Sequence, residues 1–180
     1  MKRITIILGL AAFLVAVGLQ AQSPAPQQAV TPLKDIGDLI VGRWTAESTF
    51  AADFPGLGKK GDKFTTTFTC RWVAGQAAIQ CEGVLNKGSS AAFYWWNAAS
   101  KQVKYVGMDS SGRCREGTIT KQQGAKIAWE MAGSFVNGQR FEGKGEATFQ
   151  DNGNTRIEAG TVTVNGVRNE YRDTYKRVAK

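Results

Sequence analysis

The chain contains no histidine. That absence removes Ser-His-Asp and Cys-His nucleophilic sites, histidine-ligated haem and the common zinc sites together. Cysteine is scarce, at three residues. In an exported chain that count suggests one disulfide and one spare thiol. Long apolar runs are missing apart from Ile4 to Leu19, which is short for a membrane span. Lys2 and Arg3 precede that run and Leu19-Gln20-Ala21 closes it, the pattern of a secretory signal peptide cut after Ala21. An uncleaved anchor is the alternative. No cysteine lies near the cut, which argues against a lipoprotein. The expected location is periplasmic or secreted, with no stable membrane insertion after cleavage.

A stripe of one charge sign is lacking too. Net charge is +8, of which Lys2 and Arg3 supply two, leaving +6 after the leader. The basic residues alternate with acids, as in Glu142, Lys144, Glu146 and in Arg168, Glu170, Arg172. That reads as a solvated strand face, so no nucleic-acid partner is expected. Residues 22–32, containing SPAPQQAVTP, have no periodicity and read as a flexible linker. Residues 33–180 then make one domain, large enough for a single core.

What is present is alternation. From residue 40 on, period-two segments rich in Thr, Val and aromatics are broken by AGQ, NKGSS, NAASK, SSGR, QQGA, VNGQ, DNGN and VNGV. These are antiparallel strands joined by hairpins, about ten in all: 41–50, 63–73, 77–86, 90–97, 102–109, 113–121, 125–135, 139–150, 155–164 and 167–178. Only 33–41 looks helical. An up-and-down meander of this size is expected to close into an all-β barrel, which removes its edge strands.

Turns fix registers. A two-residue Asn165-Gly166 loop sets Val162 opposite Asn169, Gly160 opposite Tyr171, Glu158 opposite Asp173 and Arg156 opposite Tyr175. A turn at Asn152-Gly153 then sets Phe149 opposite Arg156 and Gly145 opposite Gly160. Phe141, Gly143, Gly145, Ala147 and Phe149 share the inner face, while Glu142, Lys144, Glu146, Arg168 and Arg172 face out. Three-residue loops at 136–138, 122–124 and 110–112 extend the inner set through Ile127, Trp129, Met131, Gly133, Arg115, Gly117, Ile119, Val103, Tyr105 and Gly107. Large residues oppose glycines, with Trp129 meeting Gly117 and Gly145, and Tyr105 meeting Gly117. Large against small across strands is how a barrel interior is shaped.

A type II′ turn at Gly75-Gln76 would place Cys70 opposite Cys81, close enough to bridge; three small buried hydrophobes are the alternative. Cys114 faces out without a partner. Strand 90–97, SAAFYWWN, leaves open whether Phe93 and Trp95 or Tyr94 and Trp96 point inward, as core or as a binding surface.

The interior is not wholly apolar. Arg156, Glu158, Asp173 and Tyr175 come together near one barrel end, with Arg115 and Asn169 further off. Buried charge is costly unless paired or hydrated. Three readings stand: Arg156 bridging both carboxylates in a self-satisfied network; an anchor for a ligand's polar head, with its apolar body along Trp129, Met131, Phe141 and Tyr105; or an acid–base pair of carboxylates. Residues 51–62 form the longest connection, either a solvated loop or a charged flap over the mouth. Residues 107–112 join two strands and open no helix, so they do not cradle phosphate. No catalytic residue is assigned, and neither metal nor cofactor is expected.

Gly42-Arg43-Trp44 after a helical turn, the meander, and the final YRDTYKRV (171–178) together resemble the calycin superfamily, which holds lipocalins and fatty-acid-binding proteins. Residues 95–112, WWNAASKQVKYVGMDSSG, are similar to segments of bacterial secreted lipocalin-like proteins of unassigned function. The resemblance implies that Trp44 packs under an arginine of the last strand, Arg172 or Arg177. It also implies a carboxylate-holding Arg-x-Tyr near the chain's end. Here the triplet is Asp173-Thr174-Tyr175, and Arg156 opposite Tyr175 would have to substitute. The expected function is binding of a small, partly hydrophobic ligand, with Arg156 and Tyr175 orienting its polar group. A filled structural barrel in the envelope and a carboxylate-dependent lyase or isomerase are the alternatives.

Overall fold

A computed structural model describes residues 31–85 and 88–179. The expected leader 1–21 lies outside them, as does the expected linker apart from Thr31 and Pro32. Those two open helix α1 (Thr31–Ile40), with Pro32 in the first turn, where no amide partner is needed. Leu33, Ile36 and Ile40 recur at helical spacing and are buried, so α1 lies with one face on the barrel.

Ten strands follow: β1 (Gly42–Thr49), β2 (Lys63–Val73), β3 (Ala78–Leu85), β4 (Gly88–Asn97), β5 (Gln102–Asp109), β6 (Cys114–Gln122), β7 (Lys126–Ser134), β8 (Arg140–Gln150), β9 (Thr155–Val164) and β10 (Val167–Ala179). Each pairs with its neighbour in sequence, and β1 pairs with β10 to close the barrel. The expected fold class is therefore the observed one. The β8–β9–β10 registers are those the turns dictate, including Glu158↔Asp173, Arg156↔Tyr175 and Gly145↔Gly160.

Two expectations need correction. The β6–β7 pairing is displaced by two residues, so Trp129 faces Ile119 and Gly117 faces Met131. The Gln123-Gly124-Ala125 segment forms the loop, with Gly124 at φ +70°, and the inner face is unchanged because the displacement is even. The Gly75-Gln76 turn is not type II′. Ala74, Gly75 and Gln76 all take positive φ in a longer turn that preserves the register of Trp72↔Ile79 and Cys70↔Cys81. The opposed cysteines form a disulfide, both nearly buried, and Cys114 is free and exposed.

Strand β4 is now oriented. Ile79, fully buried, pairs with Tyr94, which pairs with Tyr105. Tyr94 and Trp96 therefore face inward, and Phe93, 42% exposed, faces out.

The end beside α1 is sealed. Trp44 is fully buried, donates from Nε1 to the Ile40 carbonyl at 2.9 Å and meets Phe149 edge-on at 5.9 Å. Arg177 stacks its guanidinium over the Trp44 ring at 4.2 Å. It also donates to the carbonyls of Leu39, Val41 and Gly153. Of the two candidates for this role Arg177 is the one engaged; Arg172 is exposed.

The opposite end carries loop 51–62. This loop is tied down: Phe50 and Gly61 exchange backbone bonds with their partners across it, and Phe54 bridges to Gly58. Phe54 inserts between Phe50 at 5.7 Å and Phe135 at 5.8 Å, so the loop places an aromatic plug in the mouth.

Candidate functional site

Between the two plugs lies a cavity of about 300 Å³. That is at the small end of ligand pockets, which run from about 300 to 1,000 Å³. Its shape follows from glycine placement along the cross-strand rows. One row reads Trp129, Gly145, Gly160, Tyr171 across β7 to β10. A Cβ at Gly145 would sit 2.9 Å from the Trp129 ring, so the indole lies over the glycines instead of reaching across the barrel. A second row sets Arg115 between Gly107 and Gly133. A Cβ at Gly107 would come within 3.2 Å of the Arg115 guanidinium carbon, which rests against that strand.

Eight of the nine expected ligand-binding residues line the cavity: Arg115, Arg156, Glu158, Asp173, Tyr175, Tyr105, Trp129 and Met131. Phe141 does not; it packs nearer the mouth against Phe135 at 4.9 Å. Asn169 also lies toward that end, accepting from Lys60 Nζ at 3.0 Å. The acidic–basic cluster lies toward one end of the β9–β10 ladder, as expected, with Arg156↔Tyr175 one pair from the last; that end is the one closed by Trp44 and Phe149, so the cluster is enclosed and not at a wet mouth.

Three arginines serve this interior, and they differ. Arg156 pairs with Glu158 and lies over the Tyr175 ring at 5.1 Å and Phe68 at 5.8 Å. Burial opposes its charge, yet Glu158 and the neighbouring tyrosines outweigh that and hold the guanidinium above its ordinary pKa. Arg113, just before β6, is held by Asp109 at 2.7 Å and stacks on Phe54 at 5.5 Å. Burial, then the like charge of Arg115, pushes Arg113 down to about 10. Burial alone would raise Asp109, but Arg113 and Ser111 hold it below the usual carboxylate range. Arg115 has no carboxylate partner among the described residues. Its Nη1 is buried without a hydrogen-bond partner among the described residues, as are Trp129 Nε1 and Arg156 Nε. Leaving such a donor unmade costs about 1–3 kcal/mol, more for a charged one.

The acids differ as well. Glu158 is taken: it accepts from Arg156 and, at 3.3 Å, from Tyr171 Oη. Asp173 stands apart from Arg156, so the expected bridge over both carboxylates does not form. Burial pushes its carboxyl above the usual range; the facing Ser48 hydroxyl, itself without a well-formed hydrogen bond, only partly opposes this. Arg113 and Arg156 each have an ion-pair partner, and Arg115 has none among the described residues. Burial likewise raises Tyr94, Tyr105, Tyr171 and Tyr175, keeping these phenols protonated.

Arg113 and Phe54 belong to this site and are not singled out from sequence, whereas Tyr94 is one of the two choices that strand 90–97 leaves open. Alternation from Arg115 places Arg113 on the same inner face, and that spacing is the signal that finds it.

An open hollow of about 700 Å³ lies outside the barrel between residues 52–60 and the β9–β10 turn. Its polar groups already satisfy one another, since Asp53 accepts from Lys59 and Lys60, and Asn169 accepts from Lys60. The interior, with its unmatched donors, is the better site.

No family model matches this chain, and no curated protein matches it, so the narrower likeness of residues 95–112 to bacterial secreted proteins finds no counterpart there. Among solved structures the chain is similar to secretory abundant heat soluble protein 4 from Ramazzottius varieornatus, with a TM-score of 0.47 at 14% identity over 84% of this chain and 99% of that one.

Proposed function

We propose that this is an exported, calycin-like binding protein that holds a small amphipathic anion inside its barrel. The observation that carries the reading is Arg115: a guanidinium facing the cavity with a buried, unpartnered Nη1, beside two arginines that each have a carboxylate. The anchor is thereby moved from Arg156, which Glu158 already occupies, to Arg115. Trp129, Met131 and Tyr105 supply the apolar wall. The residual cavity favours a binder over a barrel filled by its own side chains. Nothing in the site favours the lyase or isomerase reading, since Glu158 is held by Arg156 and Tyr171.

The test compares acids with their methyl esters by calorimetric titration, using 2-naphthoate and decanoate as probes. A charged hydrogen bond contributes about 1.5–3 kcal/mol, so acids should bind roughly 10- to 100-fold tighter than esters. Arg115→Met should abolish that preference with the circular dichroism spectrum unchanged. Equal binding of acid and ester to the native protein removes the anion reading, and an Arg115→Met variant that still prefers acids removes the anchor.

A further inference from the structure

The cavity wall has a character that the binding role alone does not require. Tyr94 and Tyr105 stack at 5.6 Å and 24° on the β4–β5 side. On the β7–β10 side Trp129 and Tyr171 stack at 6.2 Å and 26°, brought together across two intervening strands because both residues between them in the row are glycine. A side chain with a Cβ at Gly160 would strike the Lys144 carbonyl at 2.3 Å and the Gly145 Cα at 2.8 Å, so this pair of strands is held close and bare beneath the rings. The interior thus presents flat faces from the β4–β5 and β7–β10 sides of the barrel, and Arg115 and Arg156 line the same cavity.

Resting on the anion reading of the same site, we infer that the occupant is planar and aromatic, a fused-ring or aryl acid, and not a flexible acyl chain. Three physical arguments support this. Aromatic faces 4.5–7 Å from a partner ring gain about 0.5–1.5 kcal/mol beyond area burial, a gain that an alkyl chain does not collect. The walls are stiffened by stacking, so a ligand that is itself rigid loses little further freedom on entering. The unpartnered Trp129 Nε1 adds a neutral donor in the aromatic wall, suited to a ring oxygen or hydroxyl and of no use to a hydrocarbon tail.

The experiment sets 2-naphthoate against decanoate, which share one charge and nearly the same carbon count, on the full-length protein after leader removal. The expected result is 2-naphthoate tighter by about tenfold, with the ratio collapsing toward one in Tyr105→Leu and, separately, in Tyr171→Leu. Equal or tighter binding of decanoate to the native protein overturns the inference while leaving the anion reading intact. So does a ratio that neither leucine variant alters. Conversely, a naphthyl preference that persists in the methyl esters, with no acid preference, removes the anion reading and leaves the aromatic slot standing. No binding of either acid at about millimolar concentration, where a useful site would register, overturns both.

Discussion

Replacing Arg177 by Met should unlatch the sealed end of the barrel. Three donor bonds, to the carbonyls of Leu39, Val41 and Gly153, would be lost, each contributing about 1 kcal/mol net. The stack on Trp44 at 4.2 Å adds about 0.5–2 kcal/mol. Against this, releasing the guanidinium recovers up to about 2 kcal/mol of side-chain entropy, so the net loss is about 2–4 kcal/mol. For a domain of this size that corresponds to a fall in Tm of roughly 6–12 °C. Thermal circular dichroism of native protein, Arg177→Met and Arg177→Lys would measure it. Lysine keeps the charge over Trp44 but cannot fork to three carbonyls, so it should recover less than half of the loss. A fall below about 1 kcal/mol, or full recovery by lysine, would refute the view that a planar fork joins helix, first strand and last strand.

Two further outcomes follow from buried groups. Asp173 has a raised pKa, so the stability it contributes is complete below the unfolded value of 3.8 and is lost as pH rises through its folded value. Asp173→Asn should therefore raise Tm near pH 8, with the gain gone near pH 3; a lower Tm at pH 8 would contradict this. Removing the Cys70–Cys81 bridge, whose partners are 11 residues apart, should cost about 2–3 kcal/mol in urea unfolding, with Cys114→Ser as the silent control. Identical midpoints with and without reductant would show that the bridge adds nothing.

The barrel was legible because a period of two leaves no freedom once a turn is placed. Asn165-Gly166 alone fixed which of Arg156, Glu158, Asp173 and Tyr175 faces inward. The β6–β7 slip shows the weakness of the same logic: loop length sets the partner, whereas parity sets the face, and only parity survived. Strand β4 resisted because aromatics occupy both of its faces, so hydrophobicity could not orient it; burial of Ile79 opposite Tyr94 could. The identity of the proposed anchor was not readable either. Sequence places arginines inside, but which one keeps a carboxylate depends on rotamers: Asp109 reaches Arg113 across a turn and Glu158 folds back on Arg156, leaving Arg115 unmatched. The Phe54 plug is likewise a product of loop geometry, which turn-forming residues do not encode.

The seam between β1 and β10 has a consequence for how the chain reaches this state. Nine of the ten ladders join strands adjacent in sequence, and all of these but β1–β2, which is joined by the loop over 51–62, can zip from a short turn. The tenth joins the two ends of the barrel, the costliest closure in entropy and the slowest to be found by diffusion. Its registered pairs are Arg43↔Ala179, Trp44↔Arg177 and Thr45↔Lys176, interrupted by a bulge, so the backbone gives that closure little reward. The side chains of Trp44 and Arg177 supply what the ladder lacks. Refolding is then timed by the meeting of the chain's ends, and a circular permutant that links residue 179 to residue 31 and opens at a hairpin would turn the slowest contact into one of the fastest.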